Sequence, residues 1–273
     1  MQLLVIGPGL IGGSFALGAR RRGLFDSLLG IEPDAERARQ ALALGIVDEI
    51  TETVPETADA ILVAGPGETI APWIAQLQHH PGIILDAGSV KAPLIDAVRE
   101  SCGSLPARYV PCHPIAGKEK SGPAAADGEL FRNQEVILTP QGETDLAALE
   151  AVTTWWEALG ARVSRLDPRE HDEIYAITSH LPHLIAFAYL QQVDDQHLGH
   201  AGGGFRDFSR IGAADPDMWA PIFESNRRAL LPALERLQQD LSEVHKLLED
   251  GDTQGLKNLI ARARSRRRKF DDG

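Results

Sequence analysis

His113 is the residue in this chain best suited to move a proton. It lies in VPCHPIAGKEKSG (residues 110–122), before Pro114, a glycine turn and the cluster Lys118-Glu119-Lys120. Imidazole has the unperturbed pKa nearest neutrality, so it can act as a general base at working pH. Ser89 and Lys91 stand in IILDAGSVK (residues 83–91), a strand running into a turn of small residues. In an open α/β sheet such turns at strand carboxyl ends border the ligand crevice. Ser89 and His113 are therefore expected to project from neighbouring strand ends into one cleft. A hydroxyl–imidazole pair there suits removal of an alcohol proton while hydride leaves carbon. Each also has an ordinary reading, Ser89 as a helix cap and His113 as a turn residue. Cys112 ends an apolar strand-like run, residues 109–112, and is expected to be a buried, inert thiol rather than a nucleophile.

Hydride chemistry needs an acceptor, and the N-terminal residues offer a place for one. Gly7-Pro8-Gly9-Leu10-Ile11-Gly12 fits G-x-G-x-x-G between a strand and a helix, with the acidic Glu32 ending a second strand. Gly7 permits the tight turn, Gly9 lets backbone approach a pyrophosphate, and Gly12 lets helix pack on strand. Leu10 and Ile11 open the helix, whose free N–H groups and positive dipole meet the diphosphate. A carboxylate at Glu32 accepts from a ribose 2′-hydroxyl and repels a 2′-phosphate. The nearest cation, Arg37, is a helical turn further on, so NAD is expected rather than NADP.

The elements that must position these groups change character along the chain. Up to residue 166, short β-rich runs alternate with helical patterns, as in a parallel sheet of βαβ units. Strands are expected at residues 3–6, 27–31, 60–64, 83–86, 109–112, 135–139 and 162–166. Helices are expected at 11–22, 35–44, 92–101 and 145–159, with Gly23 and Gly45 closing the first two. After Asp167-Pro168 strand signals disappear. Residues 169–193 read as a helix bent by Pro182. From Leu230, apolar residues recur at 234, 237, 241, 244 and 248, one stripe along a helix. That stripe fits a bundle core or a subunit interface. The expected architecture is a Rossmann-like α/β domain, residues 1–166, and an all-α domain, residues 167–273.

The helical part carries SHLPH (residues 179–183) and FRDFSRIGAADPDMW (residues 205–219). His180 and His183 share a helix face, but no Cys or carboxylate accompanies them at ligand spacing, so no metal is expected. Arg206 and Arg210, four apart, could hold a carboxylate in a fork geometry, or pair with Asp207 or Asp215.

Composition narrows the classes. A formal net charge of −12 on 273 residues opposes non-specific nucleic-acid binding. Six of the eight residues 262–269 are basic, read as a solvated helix end. Two cysteines suit a reducing compartment. The N-terminus lacks a basic region before its apolar run, and no run is long enough to span a bilayer, so a cytoplasmic protein is expected.

With GPGLIGGS, DAGSVK, CHPIAG-x-EKSG, SHLPH and FRDFSRIGAADPDMW in that order, the chain resembles the prephenate dehydrogenases, a family that includes arogenate dehydrogenases. The resemblance spans nearly the whole length. It implies a dimer formed through the helical domain and NAD-linked oxidative decarboxylation of prephenate to 4-hydroxyphenylpyruvate, in tyrosine biosynthesis. By resemblance, His113 is the base on the ring hydroxyl, Ser89 orients His113, hydroxyl and nicotinamide, and Arg210 binds the ring carboxylate. His183 and Trp219 line the substrate pocket, and Glu119 helps to gate it. Lys118 departs from the pattern, which has a small hydroxyl residue there. It is read either as solvent-facing or as a ligand of the side-chain carboxylate that favours prephenate over arogenate. No further module is read within these residues, so tyrosine feedback is expected at or near the active site. The rival readings are arogenate dehydrogenase, a β-hydroxyacid dehydrogenase or imine reductase, and a non-catalytic NAD sensor.

Overall fold

In a computed structural model, residues 1–118 and 120–271 are described. They fall into two compact units, one up to residue 226 and one from residue 227 onward. The first is built on nine strands: β1 Gln2–Ile6, β2 Ser27–Ile31, β3 Glu49–Ile50, β4 Ala60–Val63, β5 Ile83–Asp86, β6 Tyr109–Val110, β7 Cys112–Ile115, β8 Glu135–Leu138 and β9 Arg162–Arg165. Six of them make a parallel sheet in the order β3-β2-β1-β4-β5-β6, the doubly wound order expected for a dinucleotide fold.

Alternate residues of β1 explain why this sheet is buried on both faces. Leu3 and Val5 enter one core with Phe15, Leu62, Leu85 and Trp156. Leu4 and Ile6 enter the other with Ile61, Val63, Ile70 and Tyr109. The first core also takes in Val136, Leu138 and Val152, so the second sheet shares it.

Helices α1 Leu10–Arg21, α2 Ala35–Ala43, α3 Gly67–Gln76, α4 Ala92–Cys102 and α5 Leu146–Ala158 cover the sheets. Gly23 and Gly45 each adopt φ +64° just past a helix end, where a side chain would be strained. Two elements of the parallel sheet and its covering helices escape the sequence reading. β3 is only two residues long, and α3 begins at Gly67 and carries Pro72, both signals that read as non-helical.

One expectation is corrected. Residues 109–112 are not one strand. Tyr109–Val110 closes the parallel sheet, and after Pro111 the chain starts β7, antiparallel to β8 in a separate sheet of order β7-β8-β9. Proline has no N–H to continue a ladder, so the break falls there. His113 thus sits inside a strand instead of following one.

The helices α6 Pro168–Tyr175, α7 Leu181–Leu190, α8 Asp195–Leu198, α9 Gly203–Ser209 and α10 Pro216–Ser225 complete the first unit. Between α6 and α7 the chain widens into a π-helix, Ala176–His180. The irregularity therefore precedes Pro182 and is not a simple bend at it. The second unit is the pair α11 Arg227–Glu249 and α12 Thr253–Asp271. Leu241 and Leu248 on its stripe are exposed. No helix among the described residues is long and apolar enough to cross a membrane.

Candidate active site

The end of β5 anchors the site through a buried ion pair. Asp86 and Lys91 are both fully buried. Asp86 Oδ1 accepts from the Tyr109 hydroxyl at 3.0 Å and from the Cys112 N–H at 2.9 Å. Its Oδ2 accepts from the Gly88 N–H at 2.8 Å and from the Lys91 ammonium at 2.5 Å. Lys91 Nζ also donates to the Cys112 carbonyl at 2.6 Å. Buried charges persist only when paired and hydrogen-bonded, as these are. Both backbone polar groups of Cys112 are thus fixed by residues that flank Ser89, a half-buried member of the same turn. The turn that carries Ser89 therefore sets where His113 stands. Burial and the Asp86 charge push the Cys112 thiol well up, which keeps it protonated and unreactive.

His113 is half-buried, and its ring packs edge-on against His171 and Tyr175, with centroids 5.0 Å away in each case. Burial, then the neighbouring His171, Lys91 and His180, holds it well below the usual histidine range. A base must be neutral to accept a proton, and these neighbours keep it so. Its Nδ1 lies 2.8 Å from His171 Nε2, and His171 Nδ1 lies 2.8 Å from Asp172 Oδ1.

The π-helix turns His180 inward, where Asn226 Nδ2 donates to its Nδ1 at 2.9 Å and to the Asp172 carbonyl at 2.9 Å. Burial pushes His180 down to about 4. A turn further on, His183 donates from Nδ1 to the Ser179 carbonyl at 2.8 Å and stacks on Trp219, centroids 3.6 Å apart. The buried Trp219 indole N–H has no partner among the described residues. Arg210 opens a short 3₁₀ turn, Arg210–Ala213, and its charge, after burial, helps to lower His183. His113, His183, Trp219 and Arg210, distant in sequence, therefore belong to one connected neighbourhood.

Lys118 is exposed. Its ammonium pairs with Asp127 at 3.1 Å and donates to the Ala125 carbonyl at 3.4 Å. The Asp127 N–H donates in turn to Ser14 Oγ on α1 at 2.9 Å. Glu119 lies outside the described residues. His171, Asp172 and Asn226 are not singled out by sequence spacing, since 58 residues separate His171 from His113. The only local signal was a His-Asp pair on the first helix after residue 167.

The glycine turn fits a dinucleotide. A Cβ on Gly7, where φ is +85°, would lie 2.9 Å from the Ala64 carbonyl oxygen. One on Gly12 would lie 2.4 Å from the Gly7 carbonyl oxygen and 2.7 Å from Val5 Cγ1. On Gly9 the nearest atom is Gly122 Cα at 3.9 Å, which leaves the open approach a phosphate needs. No side chain caps α1, so its first N–H groups are available to an anion. Glu32 directly follows β2, with Oε1 accepting from the Asp34 N–H at 3.1 Å.

Comparison with known proteins agrees with this geometry. Residues 15–165 match the family described as prephenate dehydrogenase, nucleotide-binding domain, and residues 167–262 match prephenate dehydrogenase, dimerization domain. A cyclohexadienyl dehydrogenase of Zymomonas mobilis is 33% identical, over 92% of this chain and 90% of its own length. A prephenate dehydrogenase of Bacillus subtilis is 33% identical, over 93% of this chain and 72% of its own. The solved prephenate dehydrogenase of Aquifex aeolicus, in complex with hydroxyphenyl propionate and NAD+, superposes with a TM-score of 0.90 at 31% identity, covering 99% of this chain and 98% of that one. A nucleotide-binding turn, a neutral histidine at the crevice and matches across both halves have one explanation: this chain belongs to the prephenate dehydrogenase family.

Proposed function

We propose that the protein catalyses NAD-dependent oxidative decarboxylation of prephenate to 4-hydroxyphenylpyruvate, a step of tyrosine biosynthesis. The observation that carries this reading is the neutral, half-buried His113, whose neighbour Cys112 is tied to the turn of Ser89, in a chain of this family. NAD, when bound, supplies the hydride acceptor for the carbinol carbon. Gly7, Gly9, Gly12, Leu10 and Ile11 hold its diphosphate, and Glu32 its ribose.

His113 takes the ring hydroxyl proton as that carbon becomes carbonyl-like. Ser89 orients the hydroxyl and His113, and Arg210 holds the ring carboxylate. His183 and the unpartnered Trp219 N–H line the pocket, with Glu119 as its gate. As the carbon–carboxylate bond breaks, its electron pair enters the ring and the carbonyl oxygen becomes a phenolate. The imidazolium of His113 is placed to return its proton there, so CO₂ leaves with no net proton released. Aromatisation drives the step. Too tight a grip by Arg210 would oppose loss of the carboxylate, so its role is positioning.

We place the domain boundary at residues 166/167, with the cofactor turn, Ser89 and His113 before it and His183, Arg210 and Trp219 after it. Exposed Leu241 and Leu248 on α11 support a homodimer through the C-terminal helices. We place the protein in the cytoplasm and assign any tyrosine inhibition to the active site. Lys118 is assigned to the substrate's side-chain carboxylate, which requires its pair with Asp127 to open. Arogenate is the second substrate to weigh, and the same cationic Lys118 disfavours its amino group. Steady-state kinetics with prephenate and arogenate, each against NAD and NADP, test the reading. The expected order is prephenate over arogenate and NAD over NADP.

A further inference from the structure

The mechanism above uses one histidine, but two further buried groups stand behind it in line. His113 Nδ1 is 2.8 Å from His171 Nε2, and His171 Nδ1 is 2.8 Å from Asp172 Oδ1. Hydrogen-bond chemistry then fixes every proton in the chain. Asp172, as a carboxylate, only accepts. Its Oδ1 already takes the Lys91 N–H at 2.8 Å and its Oδ2 the Ala92 N–H at 2.9 Å. The hydrogen between Asp172 and His171 therefore belongs to His171 Nδ1. A neutral His171 then has its lone pair on Nε2, so the hydrogen between the rings must come from His113 Nδ1. That leaves His113 Nε2 as the only ring nitrogen free to receive a proton.

We propose that His171 and Asp172 are positioning residues which lock His113 in the Nδ1–H tautomer and support the imidazolium formed when Nε2 takes the substrate proton. The proposal rests on His113 being the base. Asp172 adds a second connection. Its two oxygens bind the N–H groups that open α4, directly after the Ser89 turn. One carboxylate thus ties the relay on α6 to the turn carrying the hydroxyl partner, and the mutual placement of Ser89 and His113 depends on it. A carboxylate at a helix N-terminus also meets a favourable dipole.

The groups around His171 are few and can be named. Tyr175 packs on it from its own helix, with centroids 4.7 Å apart, and burial keeps that phenol up at about 12. The Lys91 and Asp86 charges reach it from the β5 turn. His180 from the π-helix acts on His113. Among the described residues, only His171 bridges His113 to an anion.

The test compares three variants, each checked for NAD binding and thermal unfolding. His171→Leu removes the bridge. His171→Gln keeps it, because an amide oxygen can accept from His113 and an amide N–H can donate to Asp172. His113→Asn removes the base itself. Positioning a general base contributes on the order of 10²-fold or more. We expect His171→Leu to lose about 100-fold in kcat with the KM for NAD unchanged, and His171→Gln to recover most of that loss. Nitrogen NMR of labelled histidine should show His113 as Nδ1–H in the native protein and His171→Gln, and as Nε2–H in His171→Leu. Native kcat in His171→Leu, or an Nε2–H tautomer for His113 in the native protein, would overturn the relay while leaving the base intact. Native turnover in His113→Asn would instead overturn the base reading itself.

Discussion

The glycine turn and the histidine cluster solve the problem of holding a ligand in opposite ways. The turn is all backbone and local: six consecutive residues, with Gly7 and Gly12 packed so closely that a Cβ would strike a carbonyl oxygen. The cluster is built from side chains remote in sequence, joining β7, α6, the π-helix and Asn226 after α10 through hydrogen bonds between residues up to 58 apart. The turn binds by shape and dipole and has nothing to titrate. The cluster works by keeping buried imidazoles neutral, which ties its function to pH. Geometry protects the first, and electrostatics tunes the second.

The comparison breaks most easily at the substrate end of the cluster. If Arg210 holds the ring carboxylate as proposed, Arg210→Ala removes a charge-assisted contact worth about 2 kcal/mol or more. It should raise the KM for prephenate 30-fold or more and leave NAD affinity within about twofold. Equal losses in both would place Arg210 outside the substrate pocket.

Gly12→Ala attacks the other region. The clash with the Gly7 carbonyl forces the turn to shift, at a cost of about 1–3 kcal/mol. NAD should bind roughly tenfold more weakly and the unfolding temperature should drop, while the pH profile of the remaining activity stays in place.

Acid should sharpen the contrast. His113, His171, His180 and His183 all lie below the ordinary histidine value, each chiefly through burial. The unfolded chain then binds more protons than the folded one below about pH 6.5. Stability contributed by these neutral rings is therefore complete above that pH. It is lost as the pH falls towards about 4, where His180 titrates in the fold. Each fully active group costs about 1.4 kcal/mol per pH unit. Denaturant titrations at pH 7 and pH 5 should differ accordingly. The acid limb of kcat/KM should fall below pH 6.5, and a limb above it would contradict a buried, neutral His113.

The smallest effect is expected at Lys118. Its pair with Asp127 is about 40% exposed on each side, and such surface pairs contribute about 0–1 kcal/mol. Lys118→Thr should leave stability nearly unchanged but lower the preference for prephenate over arogenate in kcat/KM. An unchanged ratio would return Lys118 to a purely surface role.

The same contrast explains what is legible in the sequence. The glycine turn, Glu32 and the apolar strands are read directly, because their physics is local and each residue's purpose follows from its neighbours. His113 and Ser89 are legible as candidates because both follow strand-like runs. The break at Pro111 is not, since Tyr109–Cys112 is apolar throughout and only sheet pairing separates its halves. His171 and Asp172 look like ordinary residues of a short amphipathic helix. Their purpose appears only when the fold brings α6 against the β5 turn. Lys91 is visible in its motif, but its burial against Asp86 depends on partners that spacing alone does not reveal.

The central claim is that His113 is the base for oxidation of prephenate at an NAD site built on the glycine turn. Absorbance at 340 nm, followed after mixing prephenate and NAD with the native protein and with His113→Asn, tests it most directly. NAD binding is measured on both. The account predicts steady NADH formation with one CO₂ per NADH in the native protein, and turnover reduced 100-fold or more in a variant that binds NAD normally. No NADH from prephenate in the native protein, or near-native turnover in His113→Asn, would contradict it.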